Sequence, residues 1–166
     1  IVFGDWSSDV CSSDLPKPNE TIIEDPRIIK YIQDWKLPSD CGCIAYVGST
    51  AIGAAWARLL NPLNPGYGYI APHIPELCMA VIPEYRAKGV GTILLEYLMQ
   101  ELRSAGYTHL SLSVDQRNRA VQLYLRSGFT MYEARESDYV MVRKIIANAD
   151  PPMVSPLHPG RTDSSQ

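Results

Sequence analysis

The 166-residue chain is long enough for one domain with a hydrophobic core, and its 46% hydrophobic and 20% charged residues are ordinary for a globular protein. No apolar run approaches the roughly 20 residues that a membrane-spanning helix needs. The first residues show no basic segment followed by an apolar one, so we expect no secretory signal and a cytoplasmic location.

The first fifteen residues differ in character from the rest of the chain. The string DWSSDVCSSDL, at positions 5–15, back-translates to a continuous stretch of a common sequencing-adapter oligonucleotide. We therefore interpret residues 1–15 as an artefactual leader, with a natural flexible leader as the alternative. Three of the 18 acidic residues lie in it, so without it 15 acidic and 15 basic residues balance and the net charge of −3 becomes 0. A balanced charge without a basic stripe gives nucleic-acid binding no support.

The cysteines outside the leader are three, at Cys41, Cys43 and Cys78. The first two are two residues apart, so a strand would point both to the same face. The three histidines of the chain are not suitably spaced to complete a metal site with them. We expect free thiols in a reducing compartment and no metal.

The N-terminal part of the remaining chain predicts one helix and one hairpin. Residues 25–35 are typical of a short amphipathic helix, with Asp25 as its N-terminal cap. Residues 41–60 predict a hairpin around a turn at 48–50. The proline- and glycine-rich stretch 61–75 indicates a loop.

The C-terminal part predicts alternating strands and helices followed by a second hairpin. The apolar or regularly spaced segments are a buried strand at 76–82, a helix at 89–106, a strand at 108–114, a short helix at 119–127, and a hairpin formed by 129–136 and 139–145. The proline-rich tail 147–166 has little hydrophobic content, so we expect it to be disordered. A single domain over 16–146 follows.

A strand passes directly into a helix at RAKGVG, Arg86 to Gly91. The first N–H groups of a helix lack intrahelical acceptors and carry roughly half a positive charge, so this corner attracts anions. Gly89 and Gly91 would let a diphosphate approach the backbone, and Arg86 and Lys88 add cations. The motif matches neither G-x-x-x-x-G-K-[ST] nor G-x-G-x-x-G. A glycine-tolerant turn with solvated charges is the alternative.

Together with NRAVQLYLRSGF, residues 118–129, this corner resembles the acyl-CoA-binding core of the GNAT (GCN5-related) N-acetyltransferase superfamily. The two motifs stand in the family's order and separation, and the resemblance covers about 41–145. It implies an α/β (α+β) fold, with a mixed, mostly antiparallel sheet flanked by helices and splayed between strands 76–82 and 108–114. It further implies acetyl-CoA as cosubstrate in that gap.

The resemblance also implies which residues meet the cosubstrate. Its pantetheine would pair with the strand edge near residues 79–81, and its diphosphate would meet the N–H groups of residues 86–92. Asn118 matches the family position that contacts the cofactor beyond the thioester. The cofactor-binding residues expected are therefore Met79, Ala80, Val81, Arg86, Ala87, Lys88, Gly89, Val90, Gly91, Thr92 and Asn118.

Acetyl transfer to an amine needs a base for the amine, a donor for the oxyanion and a proton for the departing thiolate. Tyr124 matches the family's tyrosine in LYxxxGF and would protonate the thiolate; the alternative is a core aromatic with a satisfied hydroxyl. Glu76, at the start of a central strand, is the candidate base, acting through water. Its alternative is a surface carboxylate. Four further residues are candidates for the acceptor pocket: Trp56, Arg58, Tyr67 and Tyr69.

The expected function is an acetyl-CoA-dependent N-acetyltransferase acting on a primary amine of a small molecule or peptide. The alternative is a non-catalytic acyl-CoA-binding or regulatory module of the same fold. Superfamily members begin with a strand and a helix whose place the leader takes here, so we expect an N-terminally truncated domain. The strand at 41–47 would then have an exposed edge, a site for aggregation or pairing. A homodimer is a separate expectation. We expect neither a nucleic-acid nor a membrane partner.

Overall fold

The computed structural model describes residues 2–5, 26–35 and 37–146, with the backbone alone for 2–5, 26 and 27. Within these ranges the elements are β1 (Val2–Asp5), α1 (Pro26–Ile29), β2 (Cys41–Val47), β3 (Thr50–Arg58), β4 (Glu76–Val81), α2 (Val90–Ser104), β5 (His109–Asp115), α3 (Ala120–Arg126), β6 (Thr130–Ala134) and β7 (Asp138–Lys144). The strands form one sheet in the order β1-β2-β3-β4-β5-β7-β6.

The sheet is mixed and opens at its centre, as the sequence predicted. All neighbouring strands pair antiparallel except β4 and β5, which are parallel. These two strands share one paired position, Glu76 with Ser111, where Ser111 N–H donates to Pro75 O at 3.0 Å. Beyond that position the described strands diverge, which confirms the expected splay.

The core lies between the sheet and the two longer helices. The apolar stripe of α2 is buried against β2, β3 and β4, and the fully buried side chains of the domain include Leu94, Leu95, Leu98, Leu102 and Phe129. Gly89 and Gly106 bound this helix at φ +83° and +82°, a region that glycine enters without steric cost. None of the helices in the described ranges combines the length and apolar character needed to cross a bilayer.

Two expectations about the N-terminal part need correction. The helix expected over 25–35 is shorter, because α1 ends at Ile29 and the chain continues as turns through Asp34. The edge of β2 is not exposed, because the backbone of β1 pairs with it from Val2↔Tyr46 to Asp5↔Cys43. The homodimer remains a prediction. The Asp25 cap, most of the leader and the tail lie outside the described residues.

Candidate functional site

The edge of β4 that faces the splay is open. Ile82 N–H donates to Ile52 O at 3.0 Å, toward β3. Because consecutive strand residues point their backbone polar groups to alternate sides, those of Met79 and Val81 face β5. Val81 O accepts from Arg86 Nε at 2.9 Å. At Met79, therefore, the backbone N–H and C=O face the gap toward β5, and β5 does not pair with them.

The N-terminus of α2 adds unpaired donors beside this edge. The first hydrogen bond of the helix runs from Ile93 N–H to Gly89 O, at 3.1 Å. The N–H groups of Val90, Gly91 and Thr92 precede it and have no intrahelical acceptor. Among the described residues, no side chain caps this end of the helix. The arrangement can hold an anion, as the sequence predicted for a diphosphate.

The two glycines of the corner have different structural reasons. Gly89 has φ +83° and open space around it, since a Cβ there would meet nothing within 4 Å. A Cβ on Gly91 would lie 3.2 Å from Leu123 Cδ2 and 3.6 Å from Met79 Cε. Gly91 therefore allows α3 and the open edge of β4 to approach α2 closely, while Gly89 provides the backbone conformation.

The structure places the other predicted binding residues as follows. Ala87 has φ +58°, an uncommon conformation for a residue with a side chain. The Lys88 ammonium rests 5.3 Å from the centre of the Tyr85 ring. Ala80 is exposed between the two open-edge residues of β4. Asn118 Oδ1 accepts from Ala120 N–H at 2.9 Å, where α3 begins.

Tyr124, from α3, is buried and packs edge-to-face on Phe129 with ring centres 5.6 Å apart. Its hydroxyl has no hydrogen-bond partner among the described residues, and it does not count among the fully buried unpaired polar atoms there. Burial, with a smaller contribution from nearby Cys78, raises the pKa of Tyr124 to about 12. The hydroxyl therefore stays protonated at neutral pH and can donate.

Glu76 is a buried carboxylate and lies away from the surface, with 4% of the residue exposed. Its Oε1 accepts from Tyr31 OH at 2.8 Å and from Gly68 N–H at 2.7 Å. Its Oε2 is buried without any partner in the described part of the chain. Burial raises the pKa of Glu76, although these two bonds and the charges of Lys30 and Arg135 oppose the rise. A base of raised pKa is closer to the pH at which it must exchange protons.

A short stretch of the 61–75 loop covers this carboxylate; we name residues 66–68 the covering loop. A Cβ on Gly66 would lie 1.9 Å from Glu76 Oε2, and one on Gly68 would lie 2.4 Å from the carbonyl carbon of Leu112. Gly68 therefore requires glycine, because the Cβ would meet backbone atoms, whereas a Cβ on Gly66 would displace the end of the Glu76 side chain. Arg135 Nη1 donates to Tyr67 O at 2.7 Å and ties the covering loop to the β6–β7 turn.

Two of the expected acceptor-pocket residues, Arg58 and Trp56, hydrogen-bond to the segment after α1, and the other two, Tyr67 and Tyr69, lie in the 61–75 loop. Arg58 is a structural residue, which corrects the prediction: its guanidinium binds both oxygens of Asp40 at 3.0 and 2.9 Å, and also donates to the carbonyl oxygens of Lys30, Gln33 and Asp34. Trp56 Nε1 donates to Tyr31 O at 3.0 Å. Tyr67 and Tyr69 lie in the loop above Glu76, with Tyr67 half exposed.

Sequence reasoning missed Tyr31, Gly66 and Gly68. Tyr31 follows α1 and lies 45 residues before the carboxylate that it contacts. The glycines belong to a loop whose composition indicated only irregular structure. Nothing local to these residues signals their contacts with Glu76, because those contacts exist only once β3, β4 and the loop are in place.

The comparisons with known proteins point to one family. A model of the acetyltransferase (GNAT) family matches residues 8–129. Among proteins with curated descriptions, none matches this chain significantly.

Solved structures share the fold. The PaiA N-acetyltransferase from Thermoplasma acidophilum, in complex with coenzyme A, is 25% identical with a TM-score of 0.53, over 64% of this chain and 61% of that one. The ribosomal-protein-S18-alanine N-acetyltransferase from Escherichia coli is 22% identical with a TM-score of 0.53, over 69% and 75%. The yncA protein from Salmonella typhimurium, solved with acetyl-CoA, is 19% identical with a TM-score of 0.54, over 69% of each chain.

Proposed function

This chain belongs to the acetyltransferase (GNAT) family, and we propose that it transfers an acetyl group from acetyl-CoA to a primary amine of a small molecule or peptide. The observation that carries the proposal is the open edge of β4 beside the unpaired N–H groups that begin α2. That combination suits a ligand with an extended amide-containing arm and a diphosphate. We propose neither a nucleic-acid nor a membrane partner.

The residues present fit acetyl-CoA. The N–H groups of Val90, Gly91 and Thr92 would hold the diphosphate, with Lys88 adding positive charge. The unpaired backbone of Met79 would accept the pantetheine amides as a further strand would. When bound, acetyl-CoA supplies an acetyl group activated as a thioester.

One side chain of this protein would then accept a proton and another would donate one. Glu76 would take a proton from the acceptor ammonium, directly or through water, because a protonated amine has no lone pair for attack. The Tyr124 hydroxyl, protonated at neutral pH, would donate to the departing sulfur.

Binding of CoA tests the cofactor site. The chain offers two matched glycines for this test, one at each end of α2. Gly89 and Gly106 have nearly identical φ, and a Cβ on either meets nothing within 4 Å. Aspartate is among the side chains that tolerate this conformation best. Gly89→Asp places a carboxylate where the diphosphate would bind, so we expect CoA affinity by calorimetry to fall at least tenfold. Gly106→Asp should leave affinity unchanged.

The helix dipole separates a binding defect from unfolding. A carboxylate at the N-terminus of α2 stabilises the helix, and one at the C-terminus destabilises it. Gly89→Asp should therefore be the more stable variant and the weaker binder. Equal CoA affinity in the two variants, or no CoA binding by the parent chain, would refute the proposed site.

Turnover tests the second half. Release of free CoA thiol should depend on a primary amine in a panel of small amines and peptides with free α-amines. Thiol release that is indifferent to every amine, in a chain that binds CoA normally, would favour a non-catalytic acyl-CoA-binding module.

A further inference from the structure

The two oxygens of the Glu76 carboxylate have unequal surroundings. Oε1 accepts two hydrogen bonds, from Tyr31 OH at 2.8 Å and Gly68 N–H at 2.7 Å. Oε2 accepts none within the described ranges, although it is buried. The contacts thus distinguish two oxygens that are chemically equivalent in a free carboxylate.

The direction of each hydrogen bond follows from its donor. A backbone N–H can only donate, so Gly68 must donate to Oε1. Tyr67 N–H donates to the Tyr31 hydroxyl at 2.8 Å, so that hydroxyl accepts there and has its single proton left for Oε1. Burial, followed by the charge of Glu76, raises the pKa of Tyr31 well above 10.0, so the proton stays on the hydroxyl. Oε1 therefore faces two donors, and any proton that Glu76 gains must go to Oε2.

We propose that Tyr31 is a positioning residue for Glu76: its hydroxyl, fixed by Tyr67 N–H, holds Oε1 so that Oε2 is the oxygen that takes the proton. The proposal rests on the proposed function, in which Glu76 is the base. It goes beyond that function because it assigns a role to a residue outside the two sequence motifs and to the contact with the covering loop.

The proton transfer balances without a further reactant. The N–H bond of the acceptor ammonium breaks, its electron pair stays on nitrogen, and an O–H bond forms at Oε2. The products are a neutral amine and a neutral carboxylic acid. Gly66 stands over Oε2, since a Cβ there would lie 1.9 Å away. The covering loop therefore lies against Oε2, the oxygen that would take the proton.

The charged and titratable groups around Glu76 come from four parts of the chain. Those that face it or neighbour it in register are Lys30 and Tyr31 after α1, Arg58 on β3, Cys78 on β4 and Arg135 before β7. Lys30 and Arg135 favour the carboxylate, and Arg58 is engaged by Asp40. Tyr31 is the side chain that donates directly to the carboxylate.

The test is Tyr31→Phe, which removes the donor and keeps the ring. Loss of a hydrogen bond to the charged carboxylate should raise the Glu76 pKa by about one unit. The acid limb of the kcat/KM profile should therefore move upward by about one pH unit, giving roughly a tenfold loss below the limb and a smaller loss on the plateau. Tyr107→Phe is the control, because Tyr107 OH donates to Ser39 O at 3.0 Å in another part of the domain.

A second readout does not depend on turnover. Titration of ¹³C-labelled glutamate carboxyls by NMR gives the Glu76 pKa directly, with the signal assigned by its loss in Glu76→Gln. A shift in Tyr31→Phe and none in Tyr107→Phe supports the proposal. An unchanged pKa in Tyr31→Phe, or equal shifts in both variants, overturns it. A parent chain that acetylates no amine refutes the proposed function. The NMR titration still decides whether the Tyr31 hydroxyl lowers the pKa of Glu76.

Discussion

Removal of the Arg58 guanidinium should destabilise the whole domain. Arg58 is 4% exposed, and its five N–H groups bind Asp40 and three carbonyl oxygens of the turns after α1. Arg58→Met removes the guanidinium from three carbonyl oxygens and from Asp40, whose side chain is 1% exposed and keeps Leu37 N–H as a donor at 3.1 Å. Breaking one partner out of a buried ion pair costs about 3–5 kcal/mol. Against a total stability of about 5–15 kcal/mol, this loss is a fifth or more.

Urea unfolding followed by circular dichroism measures the effect. We expect the free energy of unfolding to fall by about 3–5 kcal/mol, and the melting temperature by roughly 10–15 °C for a domain of this size. Arg58→Lys keeps the charge but loses the planar fork, so its loss should be intermediate. Arg117→Met is the control, because the Arg117–Asp115 pair is 90% and 42% exposed and should contribute nothing measurable.

The result that would refute this reasoning is a loss below about 1 kcal/mol in Arg58→Met, the range of an exposed pair. It would mean that water or a rearranged turn satisfies Asp40 and the carbonyl groups. A loss in Arg117→Met equal to that in Arg58→Met would also contradict it, because burial would then not explain the difference between the pairs.

Three further predictions concern the candidate site. Tyr124→Phe removes a hydroxyl without a partner in the described residues, so urea unfolding should show no loss of stability, while kcat should fall about 10²-fold; unchanged kcat would contradict its role. Burial raises the pKa of Glu76 above its unfolded value of 4.5, so the folded state binds this proton more tightly than the unfolded chain. The free energy of unfolding therefore falls as the pH rises from the unfolded-state pKa to the folded-state pKa. Glu76→Gln should lack this fall. Thermal melts from pH 4 to 8 should therefore show the melting temperature of the variant, relative to that of the parent, increasing with pH. A difference in melting temperature that stays constant over this range would exclude the raised pKa. Gly68→Ala places a Cβ 2.4 Å from the Leu112 backbone and should displace the covering loop and lower kcat/KM, whereas Gly48→Ala, in open space at φ +60°, should cost stability alone.

Local patterns predicted the elements from β2 to β7 to within about two residues. The six apolar positions of α2, the alternation of β5 and the glycine that ends α2 are signals within one segment, so they require no knowledge of the rest of the fold. The splay between β4 and β5 came from the resemblance to a family, because no local feature of either strand specifies that they diverge.

The surroundings of Glu76 could not be predicted in the same way. Its hydrogen-bond partner Tyr31 is 45 residues away, and Arg135, which ties down the covering loop, is 68 residues from Tyr67. A strand-end glutamate is exposed in most sequence contexts, and the burial of this one depends on a proline-rich loop folding back over it. The assignment of Arg58 to an acceptor pocket failed for a related reason. Its partners are turns of the 30–34 segment, where an unbroken helix was expected.

Two buried carboxylates of this domain differ in how their oxygens are satisfied. Asp40 has both oxygens satisfied by Arg58, at 3.0 and 2.9 Å, the arrangement expected where a carboxylate serves stability. Glu76 is equally inaccessible, yet its two donors converge on Oε1 and Oε2 has none. A buried polar atom without a partner costs free energy, and glutamine would keep the acceptor without the charge. Local rules are broken mainly where function requires it, so under the proposed function the unpartnered Oε2 is the oxygen that would take the proton.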